Sequence, residues 1–147
     1  MTSASAQALL VARIGTERYA FDIGAVREVV AIEDVAEVPA RLVALRGVMP
    51  RRDGRVSLLS LAALLGGGDP PHELGGAAVV VTLGGVELAL EVDEVEAVVD
   101  GGAPIVAGAV AGGLPARGVW RWGQTLVTVL DMGLLAERVT SLEERKQ

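Results

Sequence analysis

Cysteine is absent from the 147-residue chain, and histidine occurs once, as His72. A chain without cysteine has no disulfide framework, no thiol nucleophile and no thiolate metal site. One histidine leaves few routes to a transition-metal centre or a histidine-based catalytic triad. Aromatic residues make up only 3% of the sequence, so nucleic-acid bases would find almost nothing to stack on. These absences favour a binding protein over an enzyme.

Positive charge is also scarce in this sequence. The formal net charge of −6 opposes general phosphate binding, which depends on clustered cations. No apolar run approaches the roughly 18 residues that a membrane-spanning helix needs. Residues 1–8 lack the basic stretch and apolar core of a signal peptide. We therefore expect a cytoplasmic protein that inserts into no membrane, holds no metal or other cofactor and binds no nucleic acid.

Short β-rich runs are what the sequence contains in abundance. Hydrophobic residues make up 51% of the chain, and branched or other apolar residues dominate the runs 9–14, 19–23, 56–61, 79–83, 86–92 and 126–130. Glycine-containing turns follow the first and fourth runs, as in β-hairpins. Helical spacing indicates one or two turns over 25–30 and over 61–65, and a longer helix over 134–146. The pattern predicts a mainly β fold with a C-terminal helix.

The two halves of the chain resemble each other. A shift of 69 places superimposes Gly15 on Gly84, and a shift of 71 superimposes the Arg-Gly pair at 46–47 on the pair at 117–118. We infer an internal duplication into two subdomains of about five strands each, the usual size of a sheet. The halves are expected over 8–65 and 78–133, joined by a Gly/Pro-rich loop over 66–77 and followed by a helix and tail over 134–147. Each half is too small for a large core, so the two should pack together.

Several motifs in this order resemble the CheW-like domain of bacterial chemosensory systems. The first half carries the turn at Gly15, the strand over 19–23 and the segment 26–29, then Leu45, Arg46 and Gly47 in the manner of the family's Asn-Leu-Arg-Gly signature. The second half carries Asp93 in a Val-Asp-x-Val pattern and Asp131 in a Leu-Asp-Leu-like ending. The resemblance spans residues 8–140, and Gly15, Leu45, Gly47, Asp93 and Asp131 form its structural signature.

The resemblance implies two SH3-like β-barrels side by side and a non-enzymatic scaffold. Such proteins bind the cytoplasmic tip of methyl-accepting chemoreceptors and the regulatory domain of a CheA-type histidine kinase. Other CheW-like proteins are further expected partners in the chemosensory array. The receptor's helical hairpin would lie against one subdomain and the groove between the two.

The sequence departs from the family pattern in its first half. Ala44 replaces the usual Asn, residues 57–61 read Ser-Leu-Leu-Ser-Leu where Pro-Val-x-Asp-Leu is usual, and the stretch between Glu28 and Arg46 is several residues short. These changes fall on the subdomain expected to meet one face of the kinase, and the short stretch could remove or abbreviate a strand there. They favour an accessory scaffold with reduced or lost kinase binding. The alternative is an ordinary coupling protein that bridges receptor and kinase.

Four residues are predicted to bind the receptor: Val26, Glu28, Arg46 and Val95. The guanidinium of Arg46 would clamp acceptors on a receptor helix, although a surface turn arginine is the other interpretation. Val26 and Val95 occupy equivalent places and would line one groove, with ordinary core packing as the alternative. Glu28 would place a charge at the groove edge, or would be a solvated glutamate.

Trp120 and Trp122 share one face of a strand and are candidate interface anchors, because tryptophan is common at hot spots. Packing beneath the C-terminal helix is the alternative. The acidic run over 91–96 is expected to face solvent, and the basic tip over 51–55 to be isolated in an acidic protein. The alternative from another class is an enzymatic or small-ligand-binding β-barrel, which the sequence does not favour because it displays no catalytic constellation and no convergent polar groups.

Overall fold

The structure is a computed structural model that describes residues 8–38, 44–68, 70–71, 73–100, 105–107 and 113–145, with side chains up to Ser141. Within these residues it contains eleven strands, two α-helices and a short 3-10 turn at Ile23–Ala25. The elements are β1 (Leu9–Ile14), β2 (Glu17–Asp22), β3 (Val26–Ala31), β4 (Leu45–Arg51), β5 (Gly54–Ser60), α1 (Leu61–Leu64), β6 (Ala77–Leu83), β7 (Val86–Val92), β8 (Glu94–Val99), β9 (Ile105–Val106), β10 (Ala116–Trp122), β11 (Thr125–Leu130) and α2 (Met132–Arg145).

The strands form two SH3-like barrels that exchange hairpins. Barrel A has the strand order β8-β1-β2-β11-β10-β9, and barrel B has the order β3-β6-β7-β5-β4. The β1–β2 hairpin of the first half thus lies among strands of the second half, and the β6–β7 hairpin of the second half lies among strands of the first. The predicted mainly β fold of two barrels is confirmed. The sequence repeat divides the chain at 66–77, whereas each barrel combines strands from both sides of that loop.

Three hydrophobic clusters fill the molecule. The interior of barrel A contains Leu9, Val11, Ala20, Trp120, Val127 and Val129. The interior of barrel B contains Ala78, Val80, Ala89, Met49, Val56 and Leu58, which are the same six positions under the 69- and 71-residue shifts. A central cluster between the barrels takes the alternate residues of the two hairpins, including Leu10, Phe21, Val79 and Leu90. Both hairpins are therefore buried on both faces, which explains their continuous apolar runs.

The predicted helix over 25–30 is wrong, and strand β3 occupies this segment. Its side chains alternate between partly buried and exposed, and its backbone pairs with β6. Helix α1 is confirmed, with the Ser60 hydroxyl accepting a hydrogen bond from the Ala63 amide at 3.1 Å. Helix α2 is also confirmed and begins at Met132, where Asp131 accepts from the Leu134 amide at 2.9 Å. Ser60 thus caps α1 as Asp131, its counterpart under the 71-residue shift, caps α2.

The chain that follows each edge strand closes its barrel. After β8, strand β9 pairs with Val119 and Trp120 of β10. After β3, the described residues form a single bridge between Ala36 and Val48 of β4. The shortened first half thus has one paired residue where the second half has a two-residue strand. Across the described residues, neither helix is long and apolar enough to cross a membrane.

Candidate interaction surface

Strands β4 and β10 each begin with a β-bulge that contains an arginine. The register shifts between Leu45 and Gly47 in β4, and Arg46 is the extra residue. The same shift in β10 leaves Arg117 as the extra residue. A bulge redirects the side chain of the unpaired residue. Both arginine side chains therefore leave the regular alternation of their strand.

The glycine after each bulge arginine allows the closing segment to pass. A Cβ on Gly47 would lie 2.5 Å from the carbonyl oxygen of Ala36, and a Cβ on Gly118 would lie 2.9 Å from that of Val106. Gly47 also has a φ of +148°, which side-chain-bearing residues rarely adopt. The Arg-Gly pair therefore encodes a bulge followed by a close backbone crossing. Leu45, which precedes the Arg-Gly pair in the first-half signature, packs against the central cluster.

The side chain of Arg46 points into the molecule. Its Nε lies 3.1 Å from Oε1 of Glu91, and the two side chains are only 10% and 8% exposed. Its Nη2 donates to the carbonyl oxygen of Glu73 at 2.8 Å, and Oε2 of Glu91 accepts from the Gly75 amide at 2.6 Å. The pair therefore holds the loop between the two halves against barrel B. This position leaves little of the guanidinium for a receptor.

Arg117 has the same place in barrel A but a different environment. Its Nη2 donates to Asp22 at 2.9 Å, and the two side chains are 44% and 29% exposed. Asp22 is the counterpart of Glu91 under the 69-residue shift. Sequence reasoning missed Arg117 and Asp22 as a site, although the two shifts that reveal the duplication also align this pair with Arg46 and Glu91.

Val26 and Val95 occupy equivalent positions on edge strands β3 and β8. Both are partly buried and pack against the central cluster. Val29 and Val98 are the next residues along the same face of β3 and β8, and they are 41% and 59% exposed. Val29 is opposite Val79, and Val98 is opposite Leu10, so these valines border the central cluster. Sequence reasoning found Val26 and Val95 and missed their exposed neighbours.

Glu28 is engaged within the chain. Its carboxylate forms an ion pair with Arg51, which also donates to Glu87 at 3.0 Å. The hydrogen bond from Arg51 lowers the pKa of Glu87 below its ordinary value. The basic tip is thus tied to two carboxylates, with Arg52 and Arg55 exposed beside them.

The acidic run does not form a simple solvent face. Asp93 accepts from the Gly15 amide at 2.7 Å and lies 3.5 Å from Arg13, and Glu96 accepts from Arg18 at 2.9 Å. The hydrogen bond that Arg18 donates to Glu96 raises the pKa of Arg18. Asp93 thus fixes the β1–β2 turn, where Gly15 has a φ of +59°. In the described residues no group of three or more Asp, Glu or His side chains has the geometry to hold a metal ion.

Trp120 and Trp122 stack with ring centroids 6.2 Å apart. Trp120 is only 6% exposed and belongs to the interior of barrel A, against which Trp122 packs. The inward residues of α2, Leu135 and Val139, belong to the central cluster instead. The tryptophans therefore pack inside a barrel.

A cleft of about 520 Å³ lies between the loop residues 70–71 and 73–75 and the ends of β1, β5 and β7. Its polar side chains are Ser60, Glu73, Glu91 and Asp93, of which Ser60, Glu91 and Asp93 already bind groups of the chain itself. His72 lies outside the described residues. The cleft therefore offers few convergent polar groups of the kind that small-ligand sites use.

The comparisons with known proteins agree with this architecture. The crystal structure of the scaffolding protein TtCheW from Thermoanaerobacter tengcongensis is similar, with a TM-score of 0.75 and 19% sequence identity over 88% of this chain and 92% of that one. No curated protein matches the sequence. The family model described as CheW-like domain matches residues 8–140. The chain therefore belongs to the CheW-like family, whose members are non-enzymatic scaffolds of chemosensory signalling.

Proposed function

We propose that this scaffold binds the cytoplasmic tip of methyl-accepting chemoreceptors through the valines that border its central cluster. The observation that carries the proposal is the paired exposure of Val29 and Val98, at 41% and 59%, beside the partly buried Val26 and Val95. We name these four residues the valine border. It is apolar on both edge strands, and an amphipathic helix covers such a surface with its own apolar face.

Charge plays a secondary part in this proposal. Glu28 lies on β3 opposite Val80 of barrel B, on the other face from the valine border, so its carboxylate, held by Arg51, would meet the receptor only at the edge of the strand. Arg46 would support the site indirectly, because its contacts with Glu73 and Glu91 hold the inter-half loop in place. A fixed charge beside an apolar surface sets the register of a bound helix more than its affinity.

We further propose that binding to a CheA-type kinase is reduced or lost. Barrel B carries the shortened stretch, where Ala36 and Val48 form the single closing bridge among the described residues. Among the described residues, the kinase-facing end of this barrel would therefore present one paired residue where its counterpart in barrel A presents two. The protein would then act in the cytoplasm within chemosensory arrays, linking receptors to one another or to other CheW-like proteins. An ordinary coupling protein that bridges receptor and kinase is the alternative.

Calorimetric titration of the full chain tests both parts of the proposal. The titrants are a chemoreceptor cytoplasmic hairpin and the regulatory domain of a CheA-type kinase from the same genome. Binding to the receptor hairpin alone supports the accessory role, and binding to both makes the protein an ordinary coupling scaffold. Binding to neither contradicts the proposed function.

Two variants locate the receptor surface. We expect Val29→Ser and Val98→Ser each to weaken receptor binding by about tenfold, because burial of a valine stabilises a complex by about 1.5 kcal/mol. Val86→Ser is the matched control, since Val86 is 57% exposed but lies at the β6–β7 turn. An equal loss of affinity in the control would place the receptor elsewhere.

A further inference from the structure

We propose that the Arg117–Asp22 pair of barrel A is a docking site for an extended peptide segment of a partner protein. The first half of the chain shows how such a segment binds. There Arg46 donates to the carbonyl oxygen of Glu73, and the carboxylate of Glu91 accepts from the amide of Gly75. One guanidinium thus binds a backbone carbonyl, and one carboxylate binds the backbone amide two residues further on.

The two sites are equivalent in position. Arg117 and Arg46 are the extra residues of matching bulges, at Ala116/Gly118 and Leu45/Gly47. Their carboxylate partners lie near the ends of matching hairpin strands, β2 and β7, separated from the bulge strand by β11 and β5 respectively. Barrel A therefore presents the same pair of groups across the same three strands.

The sites differ in whether chain covers them. The Arg46–Glu91 pair is 10% and 8% exposed under the loop that follows α1, whereas the Arg117–Asp22 pair is 44% and 29% exposed. Helix α2 takes the place of α1 in the second half and continues to Arg145. Within the described part of the chain, Asp22 is the one hydrogen-bond acceptor that Arg117 contacts. With its side chain 44% exposed, Arg117 can donate to a further acceptor.

The chemistry of the pair selects an extended segment over a helix. In extended backbone, the carbonyl of one residue and the amide of the residue two places on point to the same side. Inside an α-helix each carbonyl accepts from the amide four residues further on, so a receptor helix has neither group free to offer. The partner chemistry that fits is a loop or unpaired strand with free backbone groups. This site is distinct from the valine border, and the inference does not depend on the proposed receptor binding.

Nuclear magnetic resonance on the full, 15N-labelled protein tests the inference. The probe is a capped peptide, Pro-His-Glu-Leu-Gly-Gly-Ala, which has the sequence of residues 71–77. We expect saturable shifts of the Arg117 Nε–H signal and of the Ala116 and Ile23 amides at millimolar peptide. Arg117→Ala and Asp22→Asn should each reduce the affinity at least fivefold. Arg121→Ala is the matched control on the same strand and should leave it unchanged.

Three results would overturn the inference. The first is no shift at Arg117 with several millimolar peptide, and the second is an unchanged titration in both variants. The third is a receptor hairpin that shifts the Arg117 signal when the peptide does not, since that result would assign the pair to a helix contact. The amide spectrum of each variant reports whether it is folded, so a folding defect cannot be mistaken for lost binding.

Discussion

Replacing each bulge arginine by alanine should show how much more a buried ion pair contributes to stability than an exposed one in an equivalent backbone setting. Arg46→Ala removes the ion-pair partner of Glu91, which is 8% exposed in the intact pair and keeps the Gly75 amide as its remaining contact among those described. Arg117→Ala removes the partner of Asp22, which is already 29% exposed in the intact pair and can recover water. The strands, bulges and following glycines are equivalent, so burial is the main variable.

The expected magnitudes differ severalfold. Removing one partner of a buried ion pair costs about 3–5 kcal/mol, because an uncompensated charge stays away from water. Removing one partner of an exposed pair costs about 0–1 kcal/mol. A domain has a total stability of about 5–15 kcal/mol, so Arg46→Ala should remove a large fraction of it. Replacing both partners, as Arg46→Met with Glu91→Leu, should restore much of the loss because no charge remains buried.

Urea denaturation measures these differences. Circular dichroism follows both barrels, and tryptophan fluorescence reports on barrel A through Trp120, which is 6% exposed. The two probes should give coincident transitions, since the exchanged hairpins couple the barrels. Equal losses of unfolding free energy for Arg46→Ala and Arg117→Ala would refute the argument from burial. A double replacement less stable than Arg46→Ala would refute the argument from the uncompensated charge.

Two further predictions concern single residues. Burial raises the pKa of Tyr19, with a smaller effect of Glu17, so the folded state disfavours the phenolate and should lose stability as the pH rises above the ordinary value of 10.0. Tyr19→Phe should remove that alkaline loss in urea denaturation, and absorbance titration of this only tyrosine gives the pKa directly; a pKa at or below 10.0 would contradict the prediction. Gly118→Ala should destabilise the protein by about 1–3 kcal/mol through the close approach of Val106, whereas Gly54→Ala, with nothing within 4 Å, should be tolerated. Equal thermal midpoints for the two alanine variants would contradict this difference.

The mainly β fold and the duplication could be predicted because strand periodicity and turn glycines are local signals. The exchange of hairpins could not, since β1 pairs equally well with any complementary edge and only the assembled sheet selects β8. The segment 25–30 was misassigned for a related reason. Its valines fit a helical turn, but pairing with β6 makes them a strand, so tertiary context overrides local propensity.

The candidate site was also only partly predictable from the sequence. The family signature correctly points to Arg46 and Gly47 as special positions, because a bulge and a backbone crossing need these residue types. It does not reveal that Glu91, 45 places along the chain, would bury the guanidinium. Exposure of Val29 and Val98 was equally hidden, since a valine in a β-rich run has the same appearance in sequence whether it faces a core or solvent.

The exchange of hairpins has a consequence for how the protein is made. Barrel A needs β1 and β2 from the start of the chain and β11 from near its end, with Arg18 paired to Val127. Barrel B has all its strands once β7 is made, but barrel A cannot close until β11 follows, so the face of the first hairpin that belongs inside barrel A stays uncovered until then. Such long-range pairing is characteristic of slow folding. Translation rate and chaperone supply should therefore affect the yield of this scaffold more than that of a protein whose barrels are each built from consecutive strands.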